Sequence, residues 1–167
     1  PENILLRDNR NHLSEPLGNW ASVSGGQDNR AIGAFAVVTG GRASTAQTPY
    51  SRAQGHQART RRVGEDALAA GAFVVPGDAQ TSVLVAKGVT AGEATVELRM
   101  ANGGISVEPN SSVSFRVLVV GRGESGAEHA AFEVVGLAYW DRNQIVVKTH
   151  RVTPLVESRS SISVSYT

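Results

Sequence analysis

Cysteine is absent from the 167 residues, which excludes a disulfide framework and Cys-containing zinc sites and suits folding in a reducing cytoplasm such as a bacterium's. Aromatic residues are scarce at 5%, with one Met and two Trp, so a core built from large side chains is not expected. No run reaches the roughly 18 to 20 apolar residues of a membrane-crossing helix, and the first residues, PENILLRDNRNHL, lack the apolar stretch of a secretory signal. No membrane span is expected. Charge of one sign is also missing: 16 basic against 15 acidic residues leave +1, too little for the field that holds nucleic acid, so no nucleic-acid partner is expected. The basic cluster Arg59-Thr60-Arg61-Arg62 reads as a solvated turn, with contact to phosphate or an acidic glycan as the alternative. What the chain does have is 18 glycines and 41% apolar residues, with Ala, Val and Ser recurring, the composition of short strands and tight turns in an all-β fold.

Residues 19–63 fall into lines of fifteen: NWASVSGGQDNRAIG, AFAVVTGGRASTAQT and PYSRAQGHQARTRRV. Their columns agree in type. Aromatics stand at Trp20, Phe35 and Tyr50, small residues at Ala21, Ala36 and Ser51, and apolar residues at Val23, Val38 and Ala53. Glycines stand at Gly25, Gly40 and Gly55, and a degenerate fourth unit, GEDALAAGAFVV, brings Ala69 and Gly71 to corresponding places. A small-x-apolar-x-Gly run alternates as a strand does, and its Gly supplies the positive φ of the following turn. Strand, turn, strand and turn fit in about fifteen residues, one coil of a β-solenoid.

Coils this thin bury little apolar area against the entropy of ordering them, so a shared core is expected. Trp20, Val23, Phe35, Val38, Tyr50 and Ala53 are the residues assigned to that shaft core, with three chains meeting on a three-fold axis. Gly25, Gly40, Gly55 and Gly71 are assigned to the repeat turns. The alternative is a monomeric solenoid capped by the second half of the chain.

The lines ASVSGGQDNRAIGAF and AVVTGGRASTA resemble the trimeric β-roll repeats of bacterial adhesin heads and, more closely, the Ser-Thr-Val-x-Gly-Gly-type repeats of bacteriophage tail fibres. In those fibres the repeats run into a globular domain opened by Gly-Asp-Ala-Gln, matched here by Gly77-Asp78-Ala79-Gln80. GISVEPNSSVSFRVLVVGRG (104–123) and AAFEVVGLAYW (130–140) resemble that family's paired central strands, so the likeness covers about residues 19–150. The family carries a further pair of strands, so a shortened or continued domain is expected here. The resemblance implies a left-handed trimeric β-roll shaft, a homotrimer within a virion assembled in a bacterial host's cytoplasm, and contacts with other virion proteins.

Read without the family, residues 80–167 still give strands: SVLVAKGV, ATVELRM, SVSFRVLVVG, AAFEVVGLAYW, NQIVVKTHRV and SSISVSYT. Asn102-Gly103-Gly104, Pro109-Asn110-Ser111, Arg122 to Gly126 and Asp141-Arg142-Asn143 are the turns between them. In the third strand Val113, Phe115, Val117 and Val119 take one face, and Ser112, Ser114, Arg116 and Leu118 the other. Six or so short strands suggest an antiparallel sandwich or jelly roll. The expected organisation is an N-terminal arm over 1–18, a shaft over 19–76 and a sandwich-like domain over 77–167.

Catalytic patterns are missing. His12, His56, His129 and His150 are far apart in sequence, without HxH or HExxH spacing, so neither metal nor cofactor is expected. Glu128-His129 reads as a solvated turn, and Glu65, Asp66, Glu124, Glu128 and Glu133 lack an aromatic platform for glycan cleavage. Gly121-Arg122-Gly123 and Ala70-Gly71-Ala72 lack phosphate-loop spacing and read as turns. No enzyme is expected. Tyr139, Trp140, Asp141, Arg142 and Asn143 form the best binding candidate, an aromatic flanked by polar groups able to stack a sugar and bond its hydroxyls; the competing role for Trp140 is closure of a core or subunit contact. The expected function is host-surface attachment by a tail fibre or tailspike segment, with a capsid decoration or head-fibre protein lacking a receptor as the alternative. In either case the arm PENILLRDNRNHLSEPLGN is expected to dock on other virion proteins.

Overall fold

The computed structural model describes residues 4–5, 14–89, 96–100, 107–123 and 128–157, without the side chains of 4, 5, 149, 150, 156 and 157. The described residues are all-β with no helix, and so contain no helix long and apolar enough to cross a membrane. The chain divides into two compact units, Pro1–Ile105 and Ser106–Thr167.

In the first unit, alternation followed by glycine produces short strands that stack from coil to coil. Strands β1 (Ile4–Leu5), β3 (Ser22–Val23), β5 (Val37–Arg42), β7 (Arg52–His56), β8 (Asp66–Ala70) and β9 (Gln80–Val83) form one sheet in that order. Strands β2 (Glu15–Pro16), β4 (Arg30–Ala31) and β6 (Thr45–Ala46) form a second. Pairing is parallel throughout except for β9, which returns antiparallel along β8. The register Ser22↔Val37↔Arg52↔Asp66 carries the repeat from coil to coil. The repeat also reaches back before Trp20: Glu15↔Arg30 pair, and the Asn29 amide donates to the Ser14 hydroxyl at 3.3 Å. Part of the segment expected as an arm thus contributes strands β1 and β2, while residues 1–3 and 6–13 lie outside the described residues.

The core between the two sheets is made of small side chains. Val23, Val38, Ala31, Ala36, Ala46, Ala53, Ala58 and Ala67 are all 0% exposed. Alanine in so many inward columns lets the sheets approach closely, so a coil of about fifteen residues can enclose a core of its own. Polar groups inside are satisfied between coils. Asn29 donates from Nδ2 to the carbonyls of Gly25 and Gly41, both at 2.9 Å, and its Oδ1 accepts the Ser44 amide at 3.0 Å.

The glycine columns differ from the sequence alignment in two respects, and Gly40 and Gly55, expected in turns, lie within β5 and β7. The third coil is one residue shorter, and a register shift between Val38 and Gly41 places Gly55 against Gly41 rather than Gly40. A Cβ on Gly41 would lie 1.9 Å from the Gly55 carbonyl oxygen, so this column must be glycine for adjacent backbones to touch. Gly71 falls further on, in the column where Asp28, Ala43 and Gln57 also take positive φ.

The second unit holds a three-stranded antiparallel sheet of β10 (Ser112–Arg122), β11 (His129–Asp141) and β12 (Gln144–Glu157), in that order. Alternation places Val113, Phe115, Val117 and Val119 opposite Ala138, Gly136, Val134 and Phe132 on one face. Phe132, Val134 and Ala138 are buried there, and a Cβ on Gly136 would meet the Phe115 ring at 2.6 Å, so the ring covers the glycine backbone. The opposite face carries Arg116 and Arg151, each paired with Glu133. Of the other predicted strands, SVLVAKGV is strand only through Val83, and the described part of ATVELRM makes the bridge Lys87↔Arg99. SSISVSYT and Asn102-Gly103-Gly104 lie outside the described residues.

Candidate functional surfaces

The residues assigned to the shaft core separate into two sets. Val23, Val38 and Ala53 point into the chain's own core, whereas Trp20, Phe35 and Tyr50 stand outside it, 58%, 47% and 64% exposed. Each aromatic sits in the turn leading from the second sheet into the first, with φ of 60°, 58° and 57°. Bulky residues in this left-handed region are uncommon because the Cβ crowds the backbone, at about 1–2 kcal/mol each. The conformation turns the ring outward, and successive coils bring the rings together: Phe35 and Tyr50 are stacked with centroids 5.2 Å apart and planes 4° from parallel. Leu17 and Ile32, 53% and 37% exposed, widen this apolar edge. Phe35 and Tyr50 turn one face toward each other and leave the rest of the strip exposed, an apolar edge suited to being covered by another surface.

Gly77-Asp78-Ala79-Gln80, read from the sequence as the opening of the second domain, lies in the first unit, where it holds the turn between β8 and β9. The Asp78 carboxylate accepts the amides of Phe73, Val74 and Val75 at 2.8, 2.6 and 2.9 Å. These bonds, that of Val75 foremost, hold its pKa below the ordinary aspartate value. Gln80 reads the backbone of Arg59 from both sides: its Oε1 accepts the Arg59 amide and its Nε2 donates to the Arg59 carbonyl, both at 2.9 Å. A Cβ on Gly77 would lie 2.9 Å from the Arg59 Cβ. The motif thus closes the open edge of the last coil. It also exposes an apolar knob, with Phe73 86%, Val74 88% and Val75 52% accessible. Sequence reasoning missed this knob; its signal was the apolar run Ala72-Phe73-Val74-Val75 between the turn residues Gly71 and Pro76.

Of the carboxylates considered for catalysis, Glu65, Asp66 and Glu133 have structural partners. Glu65 is 1% exposed, and its Oε2 accepts the amides of Arg61 and Arg62 at 2.7 and 2.9 Å while Oε1 accepts the Ser82 hydroxyl at 2.6 Å. Those bonds fold the basic cluster into a turn. Asp66 binds Arg52, an exposed pair whose hydrogen bond raises the arginine pKa. His56 and His129 are exposed, the His150 side chain, His12 and Glu124 lie outside the described residues, and Glu128 follows the undescribed 124–127. No three His, Cys, Asp or Glu side chains come together to hold a metal ion among the described residues.

In the second unit Arg142 and Asn143 form a two-residue hairpin turn between β11 and β12, with φ of 46° and 71°. Both positive values define a turn of type I′, where Asn or Gly is the usual occupant and Arg is not. Trp140, Arg142 and Asn143 join Pro109 and Asn110 around an open hollow. The Trp140 Nε1 donates to the Val107 carbonyl at 2.6 Å, which fixes the indole plane. Asp141 and Tyr139 flank this group on β11 without lining the hollow.

Comparison with known protein families, with curated proteins and with solved structures found no match.

Proposed function

We propose that the chain is a non-enzymatic segment of a bacteriophage tail fibre or tailspike, a homotrimer whose left-handed β-roll shaft leads into a sandwich-like domain that contacts a host-surface glycan. The observation that carries this reading is the exposed ladder Trp20, Phe35 and Tyr50. Three strained aromatics kept in register on one edge of a solenoid are best accounted for by a surface that covers them in the assembled protein. The resemblance of the repeats and of Gly77 to Gln80 to fibre sequences supports a place on the virion, with assembly in the host cytoplasm. The hollow at Trp140 supports a sugar contact: a fixed indole offers a face, Asn110 and Asn143 offer amides, and Arg142 a cation. Three copies per fibre multiply a weak contact of this kind.

The test is binding of the labelled protein to host cells beside its solution mass. Phe35→Ser with Tyr50→Ser should yield a folded monomer that binds cells poorly, because avidity is gone. Arg142→Gly relaxes the turn, so it should keep or raise the melting temperature while reducing cell binding. Unchanged mass and unchanged binding in these variants would refute the reading.

A further inference from the structure

The ladder stops one coil short of the solenoid's end. Gly64 holds the aromatic column in the fourth coil, two residues before Asp66 as Tyr50 is two before Arg52, and it takes the same left-handed conformation, φ 72°. A Cβ placed there meets nothing within 4 Å, so the rung above Tyr50 is open. The exposures agree: the middle ring, Phe35, is 47% accessible, whereas Tyr50 at the open end is 64%.

A ring suited to that rung lies on the same coil at the opposite edge. Strand β8 begins beside Gly64 and ends beside the turn that carries Phe73, whose backbone Asp78 clamps and whose side chain is 86% exposed. A three-fold axis along the stacking direction keeps equivalent coils level and joins one edge of each copy to a different edge of the next, as every cyclic trimer requires.

We propose that the fourth rung of the ladder is supplied in trans, Phe73 of one copy stacking on Tyr50 of the next over Gly64. The inference rests on the trimer reading and gives that trimer its contact. Gly64 is then the residue that reserves the space, and Asp78 is the positioning residue that presents the ring.

The absence of native cysteine allows a direct test. Tyr50→Cys with Phe73→Cys, both at exposed positions, treated with a short bis-maleimide should give a covalent trimer on a denaturing gel. Phe73→Cys alone should give no linked species. Filling the gap in cis with Gly64→Tyr should lower the solution mass toward the monomer while the circular dichroism of the fold persists. A double-cysteine variant that is trimeric by light scattering yet yields no linked trimer would overturn this contact and leave the trimer standing. Linked dimers from Phe73→Cys alone would also overturn it, by showing that like edges meet. A wild-type chain that is monomeric at every concentration would remove the trimer and the contact together.

Discussion

Glu65 occupies the column that Ala21, Ala36 and Ser51 fill in earlier coils, and a carboxylate is tolerated inside because each oxygen has donors. Glu65→Ala removes the acceptor of three short bonds and leaves the Arg61 and Arg62 amides without it in a half-buried turn. A loss on the order of 3 kcal/mol is expected in urea unfolding. Glu65→Gln keeps an acceptor for those amides and should lose less. Asp78 makes a pH prediction. Its folded pKa is depressed, so its contribution is present above the ordinary aspartate value and is lost as pH falls through the lower, folded one. The amide resonances of Phe73, Val74 and Val75 should titrate together with a midpoint below that of a free aspartate. A midpoint at or above it would show that the clamp is not held in solution.

Elements show which features the amino-acid order carries and which it does not. The repeat, its short strands and its turns were legible because fifteen-residue columns of small, apolar and glycine residues recur. The direction of the aromatic column was not, since period-two alternation sets faces only within a strand and Trp20, Phe35 and Tyr50 belong to turns where φ is reversed. The same limit hid the shift that pairs Gly55 with Gly41: a one-residue deletion is invisible in a column of consecutive glycines. The hairpin at Arg142-Asn143 was legible from its turn residues, whereas the hollow beside it depends on Pro109 and Asn110, distant in sequence. The two adjacent glycines of β5 predict different outcomes. Gly40→Ala meets no neighbour and should cost about 1–3 kcal/mol for its positive φ alone. Gly41→Ala drives a Cβ into the Gly55 carbonyl and should separate the coils, with a loss well beyond that or failure to fold. Equal melting temperatures for the two variants would contradict the stacking register.

For the whole molecule, the alanine-lined core answers an expectation drawn from composition. Thin coils were expected to need a core shared between chains, yet each coil encloses its own, and Val38 lies inside it rather than on an axis. Val38→Asp should therefore unfold the coil itself, by burying an unpaired charge. In the first unit the outer apolar surface includes the ladder on one edge and the Phe73 knob on the other, the two patches the proposed trimer would join. Two unlike patches on opposite edges close a ring, whereas a two-fold dimer needs only one. The measurement that tests this most directly is the molar mass of the purified chain by light scattering over a range of concentrations. A stable species at three times the 17.5 kDa of one chain is expected. A mass that stays at one chain throughout would contradict it.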